Sequence, residues 1–324
     1  MDLFFILFLI ILAIVGIVLE EIILLYENKD SKAPGMLIEA SNGSLHIFSK
    51  GIGKTTLVFT SGTGCASPYY DFYNLQESVS KFTKTALYER YGYGYSNDLS
   101  HGIPLDSLVD DIRFALKKSG HTPPYIFLAH SMASIEVLRY TQMYPNEVMG
   151  IILEEGVNPE IKDTIPLPNI LTLRSMQFLK FIGLLRLAFK IPFFKNQVIT
   201  AASSKEIIKI KTRLTIKNFW NENMVYEMKN FKRNCSTVLS HGTNFKNLPI
   251  QILTAENRRA YSDPVNKIWL QSQKNMRNFS TNTDQIIVEG SDHFIHDDNN
   301  DIIISAIKSI LKNKLTAPHY LEKS

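Results

Sequence analysis

The chain predicts an α/β architecture: a mainly parallel sheet with helices on both faces, a helical cap inserted late in the chain, and an N-terminal transmembrane helix. Three observations carry this expectation. The first 26 residues hold a long apolar run, β-prone runs then alternate with helix-period stretches, and the strands stop between about residues 157 and 248.

From Leu3 to Leu19 there are 17 consecutive residues without charge, and after Glu20 and Glu21 the run resumes from Ile22 to Tyr26. A helix rises about 1.5 Å per residue and the hydrocarbon core is about 30 Å thick, so roughly 20 residues are needed to cross it. Residues 1–26 are therefore expected to be a single-pass membrane anchor contacting lipid, with the two glutamates at headgroup level. A cleaved signal peptide is the competing reading. It would want a basic start and an A-x-A site, whereas Asp2 precedes the run and no such site follows. Only Lys29 and Lys32 flank the segment closely, which leaves its orientation open.

The bulk composition is that of a globular protein, with 45% hydrophobic and 20% charged residues, which excludes a disordered or multi-span chain. Net charge is +4, concentrated between Glu160 and Lys246, where 15 Lys/Arg face 5 Asp/Glu. Either a surface for anionic lipid or a solvated helical face accounts for it, and no nucleic-acid partner is expected. Two cysteines, Cys65 and Cys235, make neither a disulfide framework nor a metal motif.

After a linker over residues 27–35, runs at Met36–Ala40, Ser44–Ser49 and Thr55–Thr60 are punctuated by Asn42-Gly43 and Gly51 to Gly53, which predicts hairpin-connected strands. Further strands are expected at Thr85–Glu89, Tyr125–Ala129, Val148–Glu154, Pro249–Ala255 and Gln285–Glu289. Helices are expected at Leu105–Ser119, Met132–Met143, Pro264–Met276 and Asp301–Leu311. This order places the core at residues 36–156 and 249–313, a cap at 157–248 with helices near Ile170–Phe189 and Lys205–Trp220, and a tail at 314–324.

The chemistry centres on Ala129-His130-Ser131-Met132-Ala133, where a buried-type strand runs into a helix. A serine on such a strained turn presents its hydroxyl at the top of the sheet, and small residues two before and two after it let strand and helix approach. Alanines occupy both positions, where glycine is usual. A serine at a helix start is also a common N-cap, so the turn needs partners. One is Ser61-Gly62-Thr63-Gly64, a glycine-rich turn after a strand; the amides of Thr63 and Met132 are the candidate oxyanion hole. Another is His293, in Gly290-Ser291-Asp292-His293 after the last strand. His296 is its rival, and His293-x-x-His296 followed by Asp297 and Asp298 is a weak metal pattern without a further ligand. His130 is expected to point away from the serine. Gly51 to Thr55 resembles the end of a phosphate loop but lacks its first glycine and its helix.

Together with the turn Glu89-Arg90-Tyr91-Gly92-Tyr93-Gly94-Tyr95-Ser96, these pieces resemble the α/β-hydrolase superfamily, in its esterase, lipase and aminopeptidase-like branch, over about Ile38 to Leu311. The resemblance implies that Ser131 attacks a carbonyl, that His293 relays its proton, that the cap shapes the substrate pocket, and that no metal or cofactor is needed. The third member departs from the pattern. After Pro249–Ala255 the family offers an Asp, where this chain has Arg258. Some members take the acid from the end of the preceding strand, which points to Glu155, with Glu256 and Asp263 as alternatives. The expected activity is that of a carboxylic ester hydrolase acting on a small acyl substrate. Phe178, Phe181, Leu184, Leu185 and Phe189 of the cap would form an apolar acyl pocket or merely join cap helices. An aminopeptidase-like reaction and a catalytically silent membrane-bound binding protein are the two alternatives.

Overall fold

The computed structural model describes residues 3–29, 32–191, 204–256, 258–259 and 261–316. Eight strands form one sheet: β1 (Met36–Glu39), β2 (Ser44–Lys50), β3 (Thr56–Thr60), β4 (Lys84–Glu89), β5 (Tyr125–His130), β6 (Val148–Glu154), β7 (Ile250–Ala255) and β8 (Thr283–Val288). Their order is β1-β2-β4-β3-β5-β6-β7-β8. All expected strands are present within two residues of their expected bounds. The first three are not a run of hairpins, however. β1 and β2 pair antiparallel, but β4 inserts between β2 and β3, antiparallel to the first and parallel to the second. The β2–β3 turn at Gly51 and Gly53 therefore crosses over β4 and closes no hairpin.

The side-chain period of two divides the core cleanly. Val58, Phe127, Ala129, Ile151 and Leu153 face a cluster built with α4 (Leu105–Lys118), α5 (Ala133–Met143) and α10 (Asp263–Asn275). Leu57, Phe59, Ile126, Leu128 and Ile152 face the opposite cluster, with α3 (Tyr73–Val79) and α12 (Asn300–Thr316). The short α2 (Pro68–Asp71) and α11 (Ile295–Asp298) sit in loops above the sheet. Both faces being covered explains why the central strands read as unbroken apolar runs. The tail expected from residue 314 is helical as far as Thr316; residues 317–324 lie outside the described residues.

Between β6 and β7 lie the helices α6 (Ile170–Phe181), α7 (Leu184–Ala188), α8 (Lys205–Asn218) and α9 (Glu222–Ser240). Gly183, with φ 74°, breaks the expected Ile170–Phe189 helix in two. α9 buries Val225, Met228, Phe231, Cys235 and Val238 at i+3/i+4 spacing and ties the insertion to α5. The N-terminal α1 (Leu3–Lys29) runs three residues beyond the expected Tyr26. Among the described residues, Leu3–Glu27 is the stretch long and apolar enough to cross a bilayer.

Candidate active site

The junction of β5 and α5 holds Ser131 at φ 56°, a left-handed conformation that costs a non-glycine residue about 1–3 kcal/mol. The surroundings hold it there. Its amide donates to the Glu154 carbonyl at 3.0 Å, its carbonyl accepts from Val157 N at 3.2 Å, and the Ser134 hydroxyl donates to the same carbonyl at 2.8 Å. Ala129 and Ala133 are fully buried, so the sizes that the turn demands are met without glycine.

The turn after β3 closes against this serine. A Cβ on Gly62 would stand 2.7 Å from Ser131 Cβ and 3.0 Å from its Oγ, so only glycine lets the backbone approach so far. Among the described residues neither the Thr63 nor the Met132 amide has a protein acceptor. The Thr63 hydroxyl donates to Glu227 Oε2 of α9 at 2.7 Å, and Tyr93 OH donates to the same oxygen at 2.7 Å. Arg90 Nε lies 3.3 Å from Glu227 and its Nη1 donates to Glu136 at 3.2 Å. Thr63, Arg90, Glu136 and Glu227 border a cavity of about 40 Å³ beside Met132. The larger cavity of about 1010 Å³ lies elsewhere, among α1, α8 and Tyr69, Tyr70 and Tyr95.

His293 sits in the loop after β8 with its Nδ1 3.4 Å from Glu155 Oε2. Glu155, fully buried just past the end of β6, is itself left-handed at φ 48°. Its Oε1 accepts from Ala255 N at 2.9 Å and from Trp269 Nε1 at 3.3 Å, and Arg258 Nε stands 3.4 Å from Oε2. Burial pushes the Glu155 carboxyl up to about 7, with Arg258, the Ala255 amide and Trp269 pulling against it. Burial, then the Arg258 charge, pushes the His293 imidazole well below its usual range, which favours its neutral form. No hydrogen bond joins Ser131 Oγ to the imidazole among the described residues; such contacts often tighten only with substrate bound.

The rivals fall elsewhere. Glu256 is exposed and accepts from Gly290 N at 3.2 Å, and Asp263 is exposed at the start of α10. His296 is buried and engaged by a different carboxylate, with Nδ1 2.7 Å from Glu154 Oε1. The two histidines of H-x-x-H thus turn to two adjacent glutamates, and no group of three or more His, Cys, Asp or Glu is arranged for a metal among the described residues. His130 packs against the loop that carries His293. Its Nε2 donates to the His293 carbonyl at 3.0 Å, and its ring packs 4.6 Å from that of His293. Trp269 and Glu227 had no sequence signal as site neighbours, since each reaches the site from another segment, whereas Arg258, noted only as standing where an Asp was expected, turns to Glu155.

The Glu89–Ser96 turn has a structural basis. Glu89 pairs with His46 at 2.9 Å and accepts from Ser67 Oγ and the Tyr69 and Tyr95 amides, while a Cβ on Gly94 would collide with its carboxylate. That hub fixes the neighbouring Arg90 beside the cavity.

Residues 57–300 match the family model described as alpha/beta hydrolase fold. The chain belongs to the α/β-hydrolase fold family. As an α/β hydrolase it is 31% identical over 264 residues to the uncharacterized protein YbdG of Bacillus subtilis strain 168, covering 78% of each chain. Its fold is similar to that of epoxide hydrolase VrEH1 from Vigna radiata (TM-score 0.65, 15% identity, 86% of this chain and 97% of that one). It is also similar to a putative lipase, lip1, from Acinetobacter baumannii AYE (TM-score 0.64, 14% identity, 92% and 97%). At these identities the likeness carries the α/β-hydrolase fold and not a substrate.

Proposed function

We propose that this α/β hydrolase is a membrane-anchored serine hydrolase that cleaves an ester, thioester or amide of a small, lipophilic acyl substrate. Ser131 attacks the carbonyl, His293 takes the hydroxyl proton and returns it to the leaving group, and a water activated by the same imidazole releases the acid. Glu155 accepts from the His293 Nδ1–H and stabilises the imidazolium that forms, while the Thr63 and Met132 amides receive the oxyanion. The observation that carries the reading is the left-handed Ser131 packed against Gly62, with His293 facing a buried carboxylate in the adjoining loop. The supporting observation for the anchor is α1, whose residues from Leu3 to Val15 are largely exposed and apolar.

The test is a screen of p-nitrophenyl esters against aminoacyl anilides with Ser131→Ala as control. Turnover of an ester, lost by about 10⁴-fold or more in the variant, supports the proposal. Turnover that survives in Ser131→Ala removes it.

A further inference from the structure

Of the five cap residues expected to line an acyl pocket or join cap helices, Phe178, Phe181 and Leu184 are exposed, whereas Leu185 and Phe189 are half-buried. Leu171, Phe178, Phe181, Leu184, Leu187 and Ile191 are all exposed, with Leu171 at 74% and Phe178 at 58%. Leu171, Phe178 and Phe181 share a face of α6 at spacings of seven and three, and beyond the Gly183 break Leu184 and Leu187 share a face of α7, with Ile191 just after it, so that the exposed apolar stripe has two segments. Of the charges on the same helices, Lys180 and Arg186 turn to protein partners, while Arg174 stays 41% exposed in its pair with Glu222. Arg174 pairs with Glu222, Lys180 donates to the Lys217 carbonyl, and Arg186 binds Glu20 and Glu27 of α1. Leu173 is the one buried residue on α6, and α7 has none. Thr172 and Ser175 share the outward surface at the start of α6, and from Phe178 to Leu187 every exposed residue is apolar.

The stripe adjoins α1. A Cβ on Gly16 would collide with the Ile182 carbonyl, so the two backbones touch at the α6–α7 bend. One turn further, Arg186 Nε and Nη2 donate to the two carboxylate oxygens of Glu20 at 2.8 and 2.9 Å, and Glu20 is only 5% exposed. Of the two glutamates that interrupt the apolar run, Glu20 is thus neutralised by a cap arginine and Glu21 stays exposed, which fits that turn to the hydrocarbon edge with Glu21 among the headgroups.

We infer that α6 and α7 form a second membrane-contacting element, whose outward stripe enters the acyl boundary of the bilayer beside α1. Its occupant is lipid hydrocarbon, because the stripe is continuous with a helix of membrane-spanning length and no charge interrupts its surface between Phe178 and Leu187. In-plane helices of this kind sink about 5–10 Å below the headgroups. The inference rests on the anchor reading of α1 and adds to it that the cap, and not the helix alone, meets the membrane.

The test uses the full chain in phosphatidylcholine nanodiscs carrying a phosphatidylcholine with a diazirine in its acyl chain; after irradiation, adducts are mapped by peptide mass spectrometry. Acyl adducts both within residues 3–15 and on the Phe178–Leu187 stripe are expected. Leu187→Asp with Phe181→Asp should lose those on the stripe and keep those on α1. Adducts on residues 3–15 alone would overturn the inference and leave the anchor standing. Adducts on neither would remove both, and a stripe free of lipid adducts in a chain that runs as a dimer by native mass would assign it to self-association instead. The wild-type map decides even if the double variant does not fold.

Discussion

His293 Nδ1 lies 3.4 Å from Oε2 of Glu155, at the long end of hydrogen-bond range, with the carboxylate supplied from the end of β6 and not from the loop after β7. Three residues on, His296 Nδ1 stands 2.7 Å from Glu154 Oε1. Two consecutive glutamates at the end of one strand therefore serve two histidines of one loop. The partially exposed pair is the reactive candidate and the buried pair a structural one.

This division predicts different outcomes for the competing acids. Glu155→Gln is expected to lower kcat by about 10²–10⁴-fold, because the imidazole loses the acceptor that fixes its tautomer. Glu256→Gln, on an exposed loop, should stay close to wild type. Steady-state kinetics on any turned-over ester checks both, and the reverse result would move the assignment.

The pH dependence follows from burial of Glu155. With its carboxyl pushed up to about 7, kcat/KM should rise with pH through that region and then level off, since the ionised form is the one that supports catalysis. Arg258 holds the Glu155 pKa down and also lowers that of His293. Removing it as Arg258→Met should move the rising limb to higher pH. A limb that stays in place would show that Arg258 does not tune the pair.

Gly62→Ala places a Cβ 2.7 Å from Ser131 Cβ, so the turn must retreat and carry the Thr63 amide with it. A displacement near 1 Å at a reacting centre costs about 10²-fold. The expected result is that loss in kcat with a small change in KM and a near-native melt.

For the buried pair the sign is set by linkage. Burial alone would lower the His296 pKa, but the Glu154 carboxylate outweighs it and holds the group up at about 9. An imidazole raised above its unfolded value of about 6.5 stabilises the fold in full below that pH and loses the contribution as pH rises through about 9. His296→Gln leaves Glu154 buried without its cation, costing about 3–5 kcal/mol. Its Tm deficit should narrow as the melts are repeated from pH 6.5 to 9.

Much of this was legible from residue order. Strand alternation fixed by local β-propensity, the small residues around Ser131, and the position of His293 after the last strand are all local signals, and the structure brings their segments together. What escaped was non-local. β4 slips between β2 and β3 because parallel pairing needs a crossover that the short β2–β3 turn does not reveal. Trp269 and Arg258 reach Glu155 from the α10 region, and Glu227 reaches Thr63 across 164 residues. The cap stripe misled because periodicity marks an apolar face without saying whether protein or something else covers it.

The central claim is that Ser131 is the nucleophile, and fluorophosphonate labelling of the folded protein, mapped by mass spectrometry, tests it most directly. A single adduct on Ser131, absent from a folded Ser131→Ala variant, is the predicted result. Folded protein that takes up no label, or takes it at another residue while Ser131 stays unmodified, would contradict the account.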